Sequence, residues 1–186
     1  DENDEEAYYN LRTREYFITK ISITKLLLHS LNISGFDFFI NFDEIKLQEK
    51  IGEGGFGSVY LGTWEGKQVA IKKFHIKDVS RVKSTINKYI KEINTISSLR
   101  HPNIILYMGS TINKNECYMI SEYVSRGSLF DYLHLKKQKL NEIDQISICY
   151  EMAVAIKYLH SKKILHCDLK SSNIMLDENM KVKIGD

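Results

Sequence analysis

From Phe42 onward the hydrophobic positions follow first a two-residue and then a longer period, and the changes of period mark out the elements. Ile45, Leu47 and Ile51 fit an extended segment that runs into a glycine-rich turn at Gly52 to Gly57. Ser58 to Leu61 and Gln68 to Phe74 read as two further strands, with Gly62-Thr63-Trp64-Glu65-Gly66 as the hairpin turn between them. Between Val82 and Leu99 the apolar residues Val82, Ile86, Tyr89, Ile90, Ile93 and Ile96 recur at helical spacing, which predicts an amphipathic helix with Glu92 at the edge of its stripe. Pro102, the only proline, closes that region. Ile104 to Met108 and Tyr118 to Ser121 then read as strands on either side of the polar turn Asn113-Lys114-Asn115. A second helix is expected from about Glu142 to His160. Asn141 can cap it, Asp144 favours its positive end, and Ile143, Ile146, Tyr150, Ala153 and Ile156 line one face. Short strands are expected at Ile164-Leu165, Ile174 to Leu176 and Val182 to Ile184. Residues 1 to 41 mix an acidic run with aromatic and aliphatic residues in no sustained period, and read as an extension rather than a domain.

Composition narrows the class without naming a function. A chain of 186 residues with 43% hydrophobic content can bury a core of one ordinary domain or slightly more. The formal net charge of +2 provides no global field for nucleic acid or an anionic membrane, so no nucleic-acid partner is expected. The longest uncharged stretch near the N-terminus, between Lys25 and Asp37, is about half the roughly 20 apolar residues that a membrane span needs. Asp1-Glu2-Asn3-Asp4-Glu5-Glu6 is acidic where a secretory signal would be basic, and the absence of an initiator Met suggests a start further upstream. Cys117, Cys149 and Cys167 are odd in number and fit no metal-ligand spacing, which favours a reducing, cytoplasmic setting and incidental thiols. The sequon Asn32-Ile33-Ser34 would matter only in a secreted protein.

The candidate chemistry lies in four segments. Gly52-Glu53-Gly54-Gly55-Phe56-Gly57-Ser58-Val59 has the spacing G-x-G-x-x-G-x-V, in which residues without a Cβ let backbone amides approach phosphate oxygens. A plain glycine turn is the competing explanation. A dinucleotide-binding turn would require a helix immediately afterwards, and Val59-Tyr60-Leu61 is strand-like. Val69-Ala70-Ile71-Lys72 follows, ending in a lysine that must find an anionic partner if its strand is buried. Glu92 is a candidate partner, although an exposed lysine and a surface glutamate fit the pattern as well. His166-Cys167-Asp168-Leu169-Lys170-Ser171-Ser172-Asn173 fits H-x-D-x-x-x-x-N in a loop between strands. It offers a carboxylate to accept a hydroxyl proton (Asp168), a cation for a phosphoryl group (Lys170) and an oxygen ligand for magnesium (Asn173). Lys183-Ile184-Gly185-Asp186 delivers a further carboxylate.

Taken in this order, from about Phe42 to Asp186, these segments resemble the protein kinase superfamily: glycine-rich loop, V-A-I-K, helix glutamate, catalytic loop and the aspartate of D-F-G. Gly62 to Gly66, Val69 to Phe74, Leu99-Arg100-His101-Pro102-Asn103-Ile104 and Gly127-Ser128-Leu129 are similar to the tyrosine-kinase-like group, which includes the Raf and mixed-lineage kinases, and Lys170 resembles serine/threonine kinases. The resemblance implies an α+β bilobal fold: an N-lobe over 42–121, a hinge over 122–127 and the start of a helical C-lobe over 128–186, after the extension 1–41. It implies ATP and Mg2+ as cofactors and a protein Ser or Thr hydroxyl as acceptor. Ile51, Gly52, Gly54, Gly55, Phe56, Gly57, Val59, Ala70, Lys72, Ser121, Glu122 and Val124 would hold the nucleotide. In detail, Lys72 fixed by Glu92 would hold the α- and β-phosphates, Ser121 would be the gatekeeper, backbone groups of Glu122 and Val124 would bond adenine, and Val59 and Ala70 would sandwich its ring. Asp168 and Lys170 would serve catalysis, while Asn173 and Asp186 would bind magnesium. Two departures stand out: Cys167 replaces the arginine of H-R-D, and nothing after Asp186 is present, so the activation segment and remaining helices are expected in a longer chain. A catalytically silent nucleotide-binding fragment or pseudokinase-type module is the alternative, with a small-molecule phosphotransferase of related fold more distant.

Overall fold

Alternation of side chains along strand β3, Lys67–Phe74, organises the first half of the chain. The computed structural model describes residues 40–54, 57–74, 82–113 and 116–185, with backbone only for 82–88 and 112. Expectations for residues 1–39, for Gly55, Phe56 and Asp186, and for the side chains of Val82 and Ile86 lie outside the described residues. Strand β3 is flanked by β2, Gly57–Trp64, and β5, Glu116–Glu122, with β1, Ile45–Gly54, and β4, Tyr107–Asn113, at the edges of an antiparallel sheet ordered β1-β2-β3-β5-β4. Val69 and Ile71 share one face with their β5 partners Glu122 and Ile120; Ala70, Lys72 and Phe74 share the other with Ser121, Met119 and Cys117.

Each face has its own core. Ile40, Ile45, Tyr118 and the fully buried Val69, Ile71 and Ile120 fill one, with Phe42, Tyr60, Trp64 and Met108 packed around them. Helix α1, Val82–Ile96, covers the other, where Tyr89, Ile90 and Ile93 meet Phe74, Tyr107, Cys117 and Met119. Burying each large apolar side chain contributes about 1.5 to 3 kcal/mol, so this apolar face is a major part of what holds the helix against the sheet.

Several boundaries differ from the sequence expectation, each for a local reason. The β2–β3 strands run on through Trp64, leaving Glu65 and Gly66 (φ 49° and 74°) as a two-residue turn with both central residues left-handed. Gly62 is therefore a strand residue, not part of the turn; a Cβ there would stand 2.2 Å from Ile71 Cδ1 and 2.7 Å from the Lys46 carbonyl oxygen. Strand β4 begins at Tyr107 because the residues before it pair elsewhere: Ile104 bridges Ile184, and Ile105 N–H donates to the Ile184 carbonyl at 2.9 Å.

Helix α2, Glu142–Ser161, anchors the second half, and its cap is the expected one, with Asn141 Oδ1 accepting from Asp144 N–H at 2.7 Å. Its C-terminus closes with Lys163 in a left-handed conformation (φ 60°) and Ile164 N–H donating to Leu159 carbonyl at 3.0 Å. Ile164-Leu165 is accordingly a helix exit and not a strand. Strands β6, Ile174–Leu176, and β7, Val182–Ile184, lie where they were expected and pair as an antiparallel hairpin. The α2 residues Ile148, Ala155 and Leu159 bury against Leu99, Ile104, Ile174, Leu176, Val182 and Ile184. The helix thus has two apolar faces. On the face expected from the sequence, Ile143, Ile146 and Tyr150 are 79%, 71% and 69% exposed, Ala153 is exposed, and only Ile156 turns partly into the core.

Among the described residues no helix is long and apolar enough to cross a membrane. The uncovered α2 face predicts that the 186-residue chain self-associates, and that Ile143→Lys with Ile146→Lys shifts it to smaller species in size-exclusion chromatography while leaving its melting temperature unchanged. An unchanged elution profile would count against that face as the cause. Burial pushes the Cys117 thiol up to about 12, whereas Cys149 and Cys167 are exposed. A thiol reagent at neutral pH is expected to label Cys149 and Cys167 in the native chain and Cys117 only after denaturation, as read by peptide mass spectrometry; rapid native labelling of Cys117 would contradict its packing.

Candidate active site

The glycine-rich loop joins β1 to β2, and its glycines serve different ends. Irregular pairing leaves Ile51, 44% exposed, as an extra residue between the Lys50–Tyr60 and Gly52–Val59 pairs. Among the described residues a Cβ on Gly54 would meet nothing within 4 Å, so its backbone stays open to approach from them. On Gly57 the same atom would stand 2.1 Å from the Lys73 carbonyl oxygen, so the close packing of β2 on β3 alone requires a glycine there. Gly52 is tolerant, with Val59 Cβ at an ordinary 3.6 Å.

Val59 pairs with Lys72 across β2 and β3, which puts Val59, Ala70 and Lys72 on the face that also carries Ser121. Lys72 Nζ and Glu92 Oε1 of helix α1 are 2.8 Å apart, with side-chain exposures of 13% and 28%. The ion pair expected between residues twenty apart in sequence is therefore formed. Lys73 points the other way and pairs with Glu116 at 2.7 Å, as strand alternation requires.

At the end of β5, Glu122 does more than its sequence position suggested. Its Oε1 accepts from Leu106 N–H at 2.7 Å and from Lys183 Nζ at 2.8 Å, while its own N–H donates to the Leu106 carbonyl at 3.0 Å. The carboxylate thus ties the segment joining the two halves to β7. Two residues on, Val124 is buried, and among the described residues no acceptor meets its backbone N–H. A backbone donor left unengaged there suits a planar ligand with a ring acceptor.

The loop 166–173 draws its polar residues together. Asp168 N–H donates to His166 Nδ1 at 3.4 Å, which leaves Nε2 as the protonated nitrogen that donates to the Gly185 carbonyl at 2.9 Å. Asn173, buried at the end of the loop, gives its Nδ2 to the Asp168 carbonyl at 2.8 Å and to Asp168 Oδ2 at 3.1 Å. Lys170 Nζ lies 2.7 Å from the same Oδ2, and both side chains are more than half exposed. The Lys170 ammonium holds the Asp168 carboxyl below its ordinary value against the opposing effect of desolvation, and the Asn173 amide and His166 act in the same direction as Lys170. Cys167 sits between His166 and Asp168 with a left-handed φ of 63° and its Sγ exposed.

One buried carboxylate was missed in the sequence. Glu151 of α2 accepts from Asn103 Nδ2 at 3.1 Å, Val182 N–H at 2.8 Å and Lys181 Nζ at 2.8 Å, fastening the loop before β4 and the β6–β7 hairpin to the helix. Its signal was available: Glu151 falls at helical spacing between the apolar residues Ile148 and Ala155. Lys72 and Glu92 are brought together, as are Asp168, Lys170 and Asn173. Among the described residues no cluster of His, Cys, Asp or Glu has the makings of a metal centre on its own. Magnesium is nonetheless compatible with this loop, because that ion keeps several waters and binds through one or two protein oxygens plus substrate phosphates.

The chain is 44% identical over 152 residues to a probable serine/threonine-protein kinase of Dictyostelium discoideum, covering 81% of this chain and 16% of that protein. It is 36% identical over 184 residues to the dual specificity protein kinase pyk3 of the same organism, covering 99% of this chain and 13% of the relative. The serine/threonine-protein kinase CTR1 of Arabidopsis thaliana is 36% identical over 160 residues, covering 84% of this chain and 19% of CTR1. The chain thus spans less than a fifth of the length of these curated relatives. Residues 45–186 match the family model described as protein kinase domain, and with the Lys72–Glu92 pair, the glycine-rich hairpin and the Asp168–Asn173 loop in place, the chain belongs to the protein kinase family.

Proposed function

We propose that the protein to which this chain belongs transfers the γ-phosphate of Mg-ATP to a serine or threonine hydroxyl of a protein substrate inside the cell. The observation that carries this reading is the loop in which an exposed, ionised Asp168 is flanked by the Lys170 ammonium and the Asn173 amide. An acceptor hydroxyl beside Asp168 would hand its proton to a carboxylate kept in the basic form. Lys170, once released from Asp168, would lie beside the phosphoryl oxygens. Lys72, set by Glu92, would hold the α- and β-phosphates, and the glycine-rich hairpin would cover them, most closely at Gly54. The unengaged Val124 N–H supports an adenine bonded at the hinge 122–127, between Val59 and Ala70 and in front of Ser121. Asn173, together with Asp186, would hold magnesium, whose positive charge would offset the negative charge of the phosphates. The work required of the protein is positioning and charge stabilisation, with little covalent chemistry. Residues 42–121 would then act as the N-lobe, 128–186 as the start of the C-lobe and 1–41 as an extension. The unpaired thiols of Cys117, Cys149 and Cys167 support a reducing, cytoplasmic setting.

In the full-length protein, Lys72→Met and Asp168→Asn are each expected to lower phosphoryl transfer to a Ser/Thr protein substrate at least ~100-fold while leaving thermal melting nearly unchanged. Near-normal turnover in either variant would remove the role assigned to that residue. A second test uses pH. Because Lys170 is the largest cause of the lowered Asp168 value, the base form persists to lower pH than for an ordinary carboxyl, and activity is lost only as pH falls through that depressed value. Lys170→Ala should therefore move the acidic limb of the kcat/KM profile, which reports the free enzyme, upward, in addition to lowering its plateau. An acidic limb at the same position would show that Asp168 is not the titrating base.

A further inference from the structure

Lys72 makes a second contact that its ion pair with Glu92 does not explain. Its Nζ lies over the ring of Phe74, 5.5 Å from the centroid, within the range at which an ammonium is attracted to an aromatic face. Phe74 is two residues further along β3 and so shares the inner face with Lys72. Its ring is 98% buried and stands nearly perpendicular to that of Tyr89, at 73° and 5.2 Å between centroids. Tyr89 in turn is one helical turn before Glu92 on α1, so the two side chains point the same way off the helix. Strand and helix are therefore joined by two parallel links, Lys72 to Glu92 and Phe74 to Tyr89. The second is itself tied down, because the Tyr89 hydroxyl donates to the Tyr118 carbonyl of β5 at 3.2 Å.

The two links differ in what holds them. Glu92 is partly open to solvent, and an ion pair in contact with water fixes its partners weakly. The aromatic pair is dry, and edge-to-face rings favour one separation and one angle. The ammonium is also more tightly placed than a salt bridge alone would place it, since swinging away from Glu92 means leaving the Phe74 ring as well.

We propose that Phe74 and Tyr89 are positioning residues for Lys72: the Phe74 ring holds the ammonium against the inner face of the sheet, and Tyr89 sets the distance of helix α1 at which Glu92 reaches it. Neither touches the nucleotide. Their effect is confined to what Lys72 contacts, the phosphates. The proposal rests on the reading of Lys72 as a phosphate-binding residue, and the test separates the two.

The measurement is calorimetric affinity of the full-length protein for Mg-ATP and, separately, for adenosine, which has no phosphates. Phe74→Leu keeps an apolar side chain and removes the π face. It is expected to weaken Mg-ATP binding about 3- to 20-fold while leaving adenosine binding within about 2-fold. Phe74→Tyr should restore Mg-ATP affinity, and Tyr89→Leu should reproduce the phosphate-specific loss. Ile93→Val, a core change on the same helix, serves as the control for general loosening and should alter neither affinity. Equal losses for ATP and adenosine would reduce Phe74 to a structural residue and overturn the proposal, as would unchanged Mg-ATP affinity in Phe74→Leu. If Phe74→Leu does not fold, Tyr89→Leu and Tyr89→Phe provide the same comparison. A wild-type protein that binds neither ligand would instead overturn the kinase reading, and the proposal with it.

Discussion

An ammonium on the inner face of a sheet whose neighbouring side chains are apolar must have its charge met within the protein, and much of the first half of this fold can be understood from that requirement at Lys72. Strand β3 supplies apolar residues to both faces because it is central, and its period of two leaves one inner position for a charge. Helix α1 then has two tasks: to cover the apolar residues beside Lys72 with Tyr89, Ile90 and Ile93, and to bring a carboxylate to the sheet. Removing Glu92 alone would leave the charge half-met, which costs more than the pair contributes to stability.

A similar logic runs through the second half with the signs reversed. Glu151 is a carboxylate in an apolar setting, and it is tolerated because three donors from two separate segments converge on it. Its position is thereby a statement about the positions of Asn103, Lys181 and Val182, and β7 follows. Through β7 the two halves meet: Ile105 and Asn103 bond its backbone at Ile184, while Lys183 reaches Glu122 at the end of β5. Gly185 N–H then bonds the Asn173 carbonyl, so the hairpin and the loop that carries Asp168 share one register.

What was legible in the sequence was whatever depends on a short window. The stripe of helix α1, the Asn141 cap and the β6 and β7 strands follow from local period and local chemistry, and the structure has them where they were expected. The Lys72–Glu92 pair was legible only as one option among others, since spacing cannot distinguish it from two surface residues. What misled was local pattern overruled by a distant partner. Ile104 looks like the start of a strand but pairs with Ile184, eighty residues later, and Ile164-Leu165 looks like a strand but finds no neighbour. Gly62 looks like turn chemistry, whereas its reason is the Ile71 side chain across the strand pair. The part played by the Glu122 side chain could not be read at all, because Leu106 and Lys183 come together only once β4, β5 and β7 are assembled.

The glycines of the loop have a consequence for how variation in this chain is interpreted. Gly54 has room for a side chain, and Gly57 has backbone where a side chain would go. A replacement at Gly54 leaves a folded protein with a changed loop surface; a replacement at Gly57 forces β2 away from β3. In a mutational survey scored by turnover alone the two positions would look alike, both intolerant and both within one motif. Scored by the amount of folded protein they would separate, and the motif would resolve into one position that the sheet leaves open and one governed by the assembly of the sheet.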